Sequence, residues 1–391
     1  MILVVHLCVS GADIYTTSAM SNVHSRPRSS CVGTIPTMTQ MSTQAFLSDL
    51  PDECLNAPDC GDEAYGSHQS PNVDTTSSAA IVAAVHSFLQ RLPYRHPNNP
   101  QNVKLRREIS DEIVSWNTGL SADHIEQITD TSCGTAECTY AHTGYEHQRF
   151  VALYTACLTF VDDLGYKNIE LVGEFVQRFT RGQPQPLPAL SRLQGLLAEV
   201  YDYCPRVSAD AIVTSTMDGI SGMYTELITK GYIVQPEAVR YPYHLRIRTG
   251  IAVGYAHLTF TKEWARDAGH MYLQVVPEVE AITVGFNDIL SFYKETLVGD
   301  TGNYIHMRAT AERRSPLTVL EELIEENLDS ARKIKKFAAS QTGLTEICHS
   351  SLMLTVGNAF SSIQGYIEFH LNARRYHLEG IVDGTRYLPA S

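Results

Sequence analysis

From Ser77 to about His370 the chain repeats one local pattern. Apolar residues recur at helical spacing, strand-like alternation is scarce, and glycine and proline fall between the apolar segments. Helices patterned in this way bury their apolar faces against one another, which predicts an all-α, antiparallel bundle with short connections. Helices are expected over 79–92, 148–161, 169–179, 187–203, 209–230, 243–260, 272–295, 316–340 and 345–370, with breaks at 97–100, 182–188, 231–236 and 299–302. The segment Gln148–Val161 is almost unbroken in its apolar character and reads as a central helix covered on all sides.

The N-terminal part is different. Residues 13–76 are rich in Ser, Thr, Pro, Asn and Asp with little periodicity, so residues 1–74 read as a poorly ordered extension and 75–385 as one helical domain. Met1–Ala12 is apolar but lacks a basic leading region and is too short to span a bilayer, and Met41 is an alternative start. The nine cysteines are scattered without paired metal-ligand spacing, which fits a reduced, cytoplasmic setting. A net charge of −13 with no lysine and arginine stripe argues against nucleic acid as a partner. An anionic substrate must therefore be met by local basic groups.

The helical segment that ends NDILSFYKE carries the most specific chemistry. Asn287, Ser291 and Glu295 stand at i, i+4 and i+8, so each successive side chain advances about 40° around the helix and about 6 Å along it. An amide oxygen, a hydroxyl and a carboxylate thus form one stripe of hard ligands suited to magnesium. The residues between them, Ile289, Leu290, Phe292 and Tyr293, are apolar or aromatic, so the stripe belongs to a mostly buried helix rather than to a solvated face.

Three further groups accompany it. Asp162-Asp163 closes the central apolar run, where two adjacent carboxylates read as cation ligands at a cavity mouth or, more plainly, as an acidic helix end. Arg246 stands four residues before Gly250 in LRIRTG. Arg374-Arg375-Tyr376 ends the last apolar segment, as donors to a diphosphate or as a complement to the helix dipole.

Together, the Asp-Asp pair, the stripe in NDILSFYKE, the RxxxG in LRIRTG and the RRY in HLNARRY resemble fungal terpene cyclases of the trichodiene synthase family, from about Thr75 to Gly380. The resemblance implies a class I terpene synthase bundle around a central apolar cavity. It also implies magnesium, as three ions with the diphosphate, and farnesyl diphosphate as substrate. By the same resemblance Asp162, Asn287, Ser291 and Glu295 hold metal, Asp163 pairs with Arg375, and Arg246, Lys294, Arg375 and Tyr376 grasp the diphosphate. The allylic cation would pass through nerolidyl and bisabolyl stages to a trichodiene-, longiborneol- or acoradiene-like product, steered by some of Tyr154, Phe160, Tyr224, Phe286 and Tyr293. A homodimer is implied by the family alone. One departure stands out: Tyr166 occupies the place where the family carries a further acid. It leaves open a repurposed protein that binds a terpenoid without ionising a diphosphate.

Overall fold

The structure, a computed structural model, describes residues 78–92, 97, 99–264, 270–339, 346–373, 376 and 378. All of them belong to the unit that runs from Thr75 to Ser391, and residues 1–74 with their expected disorder lie outside the description. Among the described residues there is no strand, so the expected all-helical class is met. The helices are α1 (Ser78–Arg91), α2 (Val103–Ser115), α3 (Ala122–Gly134), α4 (Tyr145–Leu164), α5 (Ile169–Gly173), α6 (Phe175–Thr180), α7 (Pro188–Tyr203), α8 (Arg206–Ile228), α9 (Tyr241–Thr249), α10 (Ala252–Leu258), α11 (Val276–Leu297), α12 (Tyr304–Glu312), α13 (Pro316–Ala339) and α14 (Glu346–Asn372).

Two of these helices form the interior. Every residue of α4 from Phe150 to Val161 is buried, as its apolar run predicts, and α11 is buried from Val284 through Ser291 and beyond. Around α4 lie α2, α3 and α7; around α11 lie α1, α10, α13 and α14. Short α10 thus has α11 on one side and α8 on the other, and Tyr154 of α4 meets Tyr255 of α10 edge to face at 5.5 Å.

Three expected helices are interrupted. The segment 169–179 is two short helices, with a bend at Glu174. The segment 272–295 begins with a 3₁₀ turn, Met271–Gln274, and becomes α-helical at Val276, where Pro277 sits in the first turn and needs no amide donor. The segment 243–260 breaks between α9 and α10 at Ile251, whose φ of 45° is left-handed and costly for a β-branched residue. The cause lies on α8. A Cβ on Gly219 would collide with Ile251, and one on Gly222 would approach the Arg248 Cβ to 2.9 Å, so two glycines on one face of α8 seat the broken turn.

Three α-helices fall where the sequence reading placed none: α2, capped by the Asn102 side chain; α3, capped by Ser121; and α12, capped by Asn303. α3 runs into a single π-helical turn, Thr135–Thr139. Arg106 holds that turn from outside, through Glu137 at 2.8 Å, and a Cβ on Gly365 of α14 would collide with the Cys138 carbonyl on its inner side.

Candidate active site

The stripe of α11 is buried as a unit: Asn287, Ser291 and Glu295 are 4%, 2% and 8% exposed. Asn287 is fully engaged. Its Oδ1 accepts from Arg246 Nη2 at 2.8 Å, and its Nδ2 lies 3.3 Å from His370 Nε2 and 3.5 Å from the Tyr376 hydroxyl. Arg246 also donates through Nε to Asp288 Oδ1 at 2.7 Å, in an ion pair buried on both sides. Burial alone would lower the Arg246 guanidinium, but the charge and hydrogen bond of Asp288, with Tyr366 and Glu295 adding to them, raise it overall and keep the charge in place. The other carboxylate oxygen of Asp288 has no hydrogen-bond partner among the described residues.

Below Asn287 the Ser291 hydroxyl meets Glu295, whose carboxyl is pushed up to about 7 by burial against the opposing pull of Lys294. Lys294 itself is buried, with its ammonium 4.8 Å from the centre of the Tyr376 ring. Tyr376 is completely buried and packs on His370 at 4.4 Å. Glu226 of α8 and Asp300, both half-buried, carry further carboxylates near Arg246 and Glu295. Burial pushes Glu226 upward, while Arg246 opposes and Asp300 reinforces the shift. The stripe, Arg246, Lys294 and Tyr376 are therefore brought together, as the sequence expects.

The Asp162-Asp163 pair lies apart on the last turn of α4, half-buried. Asp162 is near enough to Tyr255 for its charge to raise that phenol, and Tyr255 in turn acts on Tyr366, which senses Arg246 and Asp288. After Leu164 the helix gives way to a 3₁₀ turn, Gly165–Lys167, before α5 restarts at Ile169. Tyr166 falls in this turn, 53% exposed, with the Lys167 ammonium over its ring. Asn168 follows half-buried and Glu170 exposed, beyond the point where the helix unwinds. Arg374 and Arg375, and with them the expected Asp163–Arg375 pair, lie outside the described residues.

The expected aromatic liners divide. Phe286 packs edge to face on Phe88 of α1 at 5.0 Å and Phe160 on Trp116 at 5.7 Å, which makes both of them packing residues between helices. Tyr154 hydrogen-bonds Thr216 at 2.7 Å and stacks on Phe150. Tyr224 packs against Gly173 and Tyr293 is partly buried against the core. Asp288 and His370, which partner the central residues, received no role from the sequence. The available signal was position: Asp288 follows the first stripe residue, and His370 opens the HLNARRY motif.

Among the described residues no three His, Cys, Asp or Glu side chains gather as a metal cluster. The donor set of the stripe is of another kind, one carboxylate with a hydroxyl and an amide oxygen, all buried and all hard, and it fits a hard divalent cation. No helix among the described residues is long and apolar enough to cross a membrane.

Comparison with known proteins identifies the family and the fold. Residues 111–387 match the family described as Trichodiene synthase (TRI5). The terpene synthase BipA of Cochliobolus sativus is 29% identical over 307 residues, covering 77% of this chain and 91% of that protein. The longiborneol synthase of Gibberella zeae is 27% identical over 69% of this chain and 79% of its own length. Among solved structures, the linalool/nerolidol synthase of Streptomyces clavuligerus in complex with 2-fluorogeranyl diphosphate superposes with a TM-score of 0.56 at 12% identity, over 70% of this chain and 99% of that one. A hedycaryol synthase in complex with nerolidol gives a TM-score of 0.53 at 13% identity, over 71% of this chain and 96% of that one. The fold is that of class I terpene synthases, enzymes that generally use divalent metal ions, and the chain belongs to the trichodiene synthase family.

Proposed function

We propose that the protein is a magnesium-dependent sesquiterpene cyclase that ionises farnesyl diphosphate, releases diphosphate and closes the allylic cation through nerolidyl- and bisabolyl-type stages. The observation that carries this reading is the double contact of Arg246. One guanidinium holds both Asn287, the head of the oxygen stripe, and Asp288, with Lys294 and Tyr376 alongside. A strong anion donor is thus stored against the ligand stripe. When a diphosphate enters, Arg246 can exchange its carboxylate and amide partners for phosphate oxygens, to which its planar fork binds in bidentate fashion. That exchange releases Asn287 Oδ1.

Asn287, Ser291 and Glu295 would then hold magnesium on one side, and Asp162 on the other. At these residues magnesium would supply charge neutralisation for the departing diphosphate. Lys294 and Tyr376 donate to the same oxygens, and the buried surroundings keep those interactions strong by excluding water. The relatives that make farnesene and longiborneol are consistent with a farnesyl substrate. Of the basic C-terminal pair, Arg375 is expected to matter more than Arg374.

The second reading, a protein that binds a terpenoid without ionising a diphosphate, rests on Tyr166 standing where the family carries a further acid. Incubation of the purified protein with farnesyl diphosphate and magnesium, followed by analysis of the volatile extract, decides between them. A cyclic sesquiterpene supports the first reading. No terpene from farnesyl diphosphate, or from shorter and longer prenyl diphosphates, refutes it.

A further inference from the structure

Where the π-helical turn meets α14, three hydroxyls line one small internal cavity of about 20 Å³: Thr139 Oγ1, Ser362 Oγ and Tyr366 Oη. Each belongs to a residue more than nine-tenths buried, and none has a hydrogen-bond partner among the described residues. This is unusual even locally. Ser132 and Thr135, a turn or two earlier, donate to the carbonyls four residues back, at 2.6 and 2.8 Å, and Thr283 on the opposite wall does the same at 2.8 Å. The other phenols of the cavity wall are also satisfied, Tyr140 by the Tyr255 carbonyl and Tyr255 by Thr155.

The fold brings the three together for a specific reason. Ser362 and Tyr366 are one turn apart on α14, and Gly365 beside them lets that helix press on Cys138, the residue before Thr139. From outside, Arg106 and the Asn102 amide, at 2.7 Å from Glu137, pin the same turn. A π turn places its side chains where a regular helix would not, and such turns recur at functional sites.

Leaving three buried hydroxyls unpaired would cost about 1–3 kcal/mol each, whereas a single water needs only about 10–15 Å³ and two to four polar partners. The cavity presents no charged side chain, so an ion has nothing to balance it there. Tyr366 also reaches toward the diphosphate site: its ring meets His370 edge to face at 4.3 Å, and His370 in turn packs on Tyr376 at 4.4 Å and lies 3.3 Å from Asn287 Nδ2.

We infer that Thr139, Ser362 and Tyr366 hold one ordered water, and that this water is the nucleophile which ends the reaction, so that the principal product is a terpene alcohol. The inference rests on the cyclase reading given above. In the step, a lone pair of the water oxygen forms the new C–O bond to the carbocation, the resulting oxonium loses one proton, and the released diphosphate takes it up. No oxidant or further reactant is required.

The test is product analysis from farnesyl diphosphate and magnesium in oxygen-18 water, for the wild type, Thr139→Ser and the pair Thr139→Val and Ser362→Ala. The expected result is a labelled alcohol from the wild type and from Thr139→Ser. The alcohol share of total product should fall at least about fivefold, roughly 1 kcal/mol in partitioning, in the two apolar variants. That share is independent of overall turnover. A hydrocarbon product alone, or an alcohol share unmoved by the apolar variants, overturns the inference. Absence of any terpene is a different failure: it removes the ionisation reading and the proposed role of the water with it. Crystallographic density in the cavity then judges the water site by itself, one bonded solvent peak supporting it and an empty cavity refuting it.

Discussion

The stripe of α11 and the acidic end of α4 carry the same kind of ligand, yet they are built in opposite ways. On α11 every member is buried and most are already bonded, Asn287 to Arg246, His370 and Tyr376, and Glu295 to Ser291. On α4 the carboxylates are half-buried at a helix end that passes directly into a 3₁₀ turn. A site of the first kind is pre-organised, because its geometry is paid for during folding. One of the second kind can adjust when ligand arrives. The contrast implies that α11 with Arg246 dominates binding and that α4 contributes less than its Asp-Asp sequence suggests.

The sharpest break is Arg246→Ala. It removes a diphosphate donor and leaves Asp288 buried without its partner, which costs about 3–5 kcal/mol when a buried pair loses one member. Turnover should fall roughly 10²- to 10³-fold, with a lowered Tm. Normal stability together with normal kinetics would dissolve the link between Arg246 and the stripe.

Acid probes the opposite end of α4 from its carboxylates. His147, on the first turns of α4, donates to the Leu258 carbonyl at 2.8 Å and so caps α10; burial lowers it to about 4 from the usual 6.5. Because the folded value is depressed, the stability is fully present above pH 6.5. It is lost as pH falls from there toward 4, where the unfolded chain binds the proton first. The loss is on the order of 3 kcal/mol for this one residue. Unfolding measured across that range should weaken steadily in the wild type and less steeply in His147→Gln. A flat wild-type profile would refute the cap.

Tyr166→Asp is expected to do least. It restores the acid that the family pattern places there, but the position is exposed in a 3₁₀ turn, so turnover and magnesium dependence should stay within about twofold, under roughly 0.5 kcal/mol. A large gain would show that the α4 end closes inward during the reaction and is not the lesser half.

Much of this was legible in the sequence, for identifiable reasons. Long apolar runs such as Phe150–Val161 declare a buried helix because nothing else buries them, and three oxygen ligands at steps of four declare one face. The break at Ile251 was not legible, since its cause, Gly219 and Gly222, lies some thirty residues earlier on another helix, a separation that only the packed structure closes. Nor was the π turn, whose support comes from Arg106 and Gly365 on opposite sides. Phe286 and Phe160 read as candidate liners from position alone, but contact with Phe88 and Trp116 makes them packing residues. Charge pairing across elements, Arg246 with Asp288 above all, leaves no local trace.

The central claim is that α11 carries the larger share of metal binding, and magnesium dependence of turnover measured side by side for Glu295→Gln and Asp162→Asn tests it most directly. Glu295→Gln should raise the half-saturating magnesium concentration and lower turnover by about tenfold or more, about 1.4 kcal/mol, with Asp162→Asn showing a clearly smaller shift. Equal shifts, or a larger one from Asp162→Asn, would contradict the account.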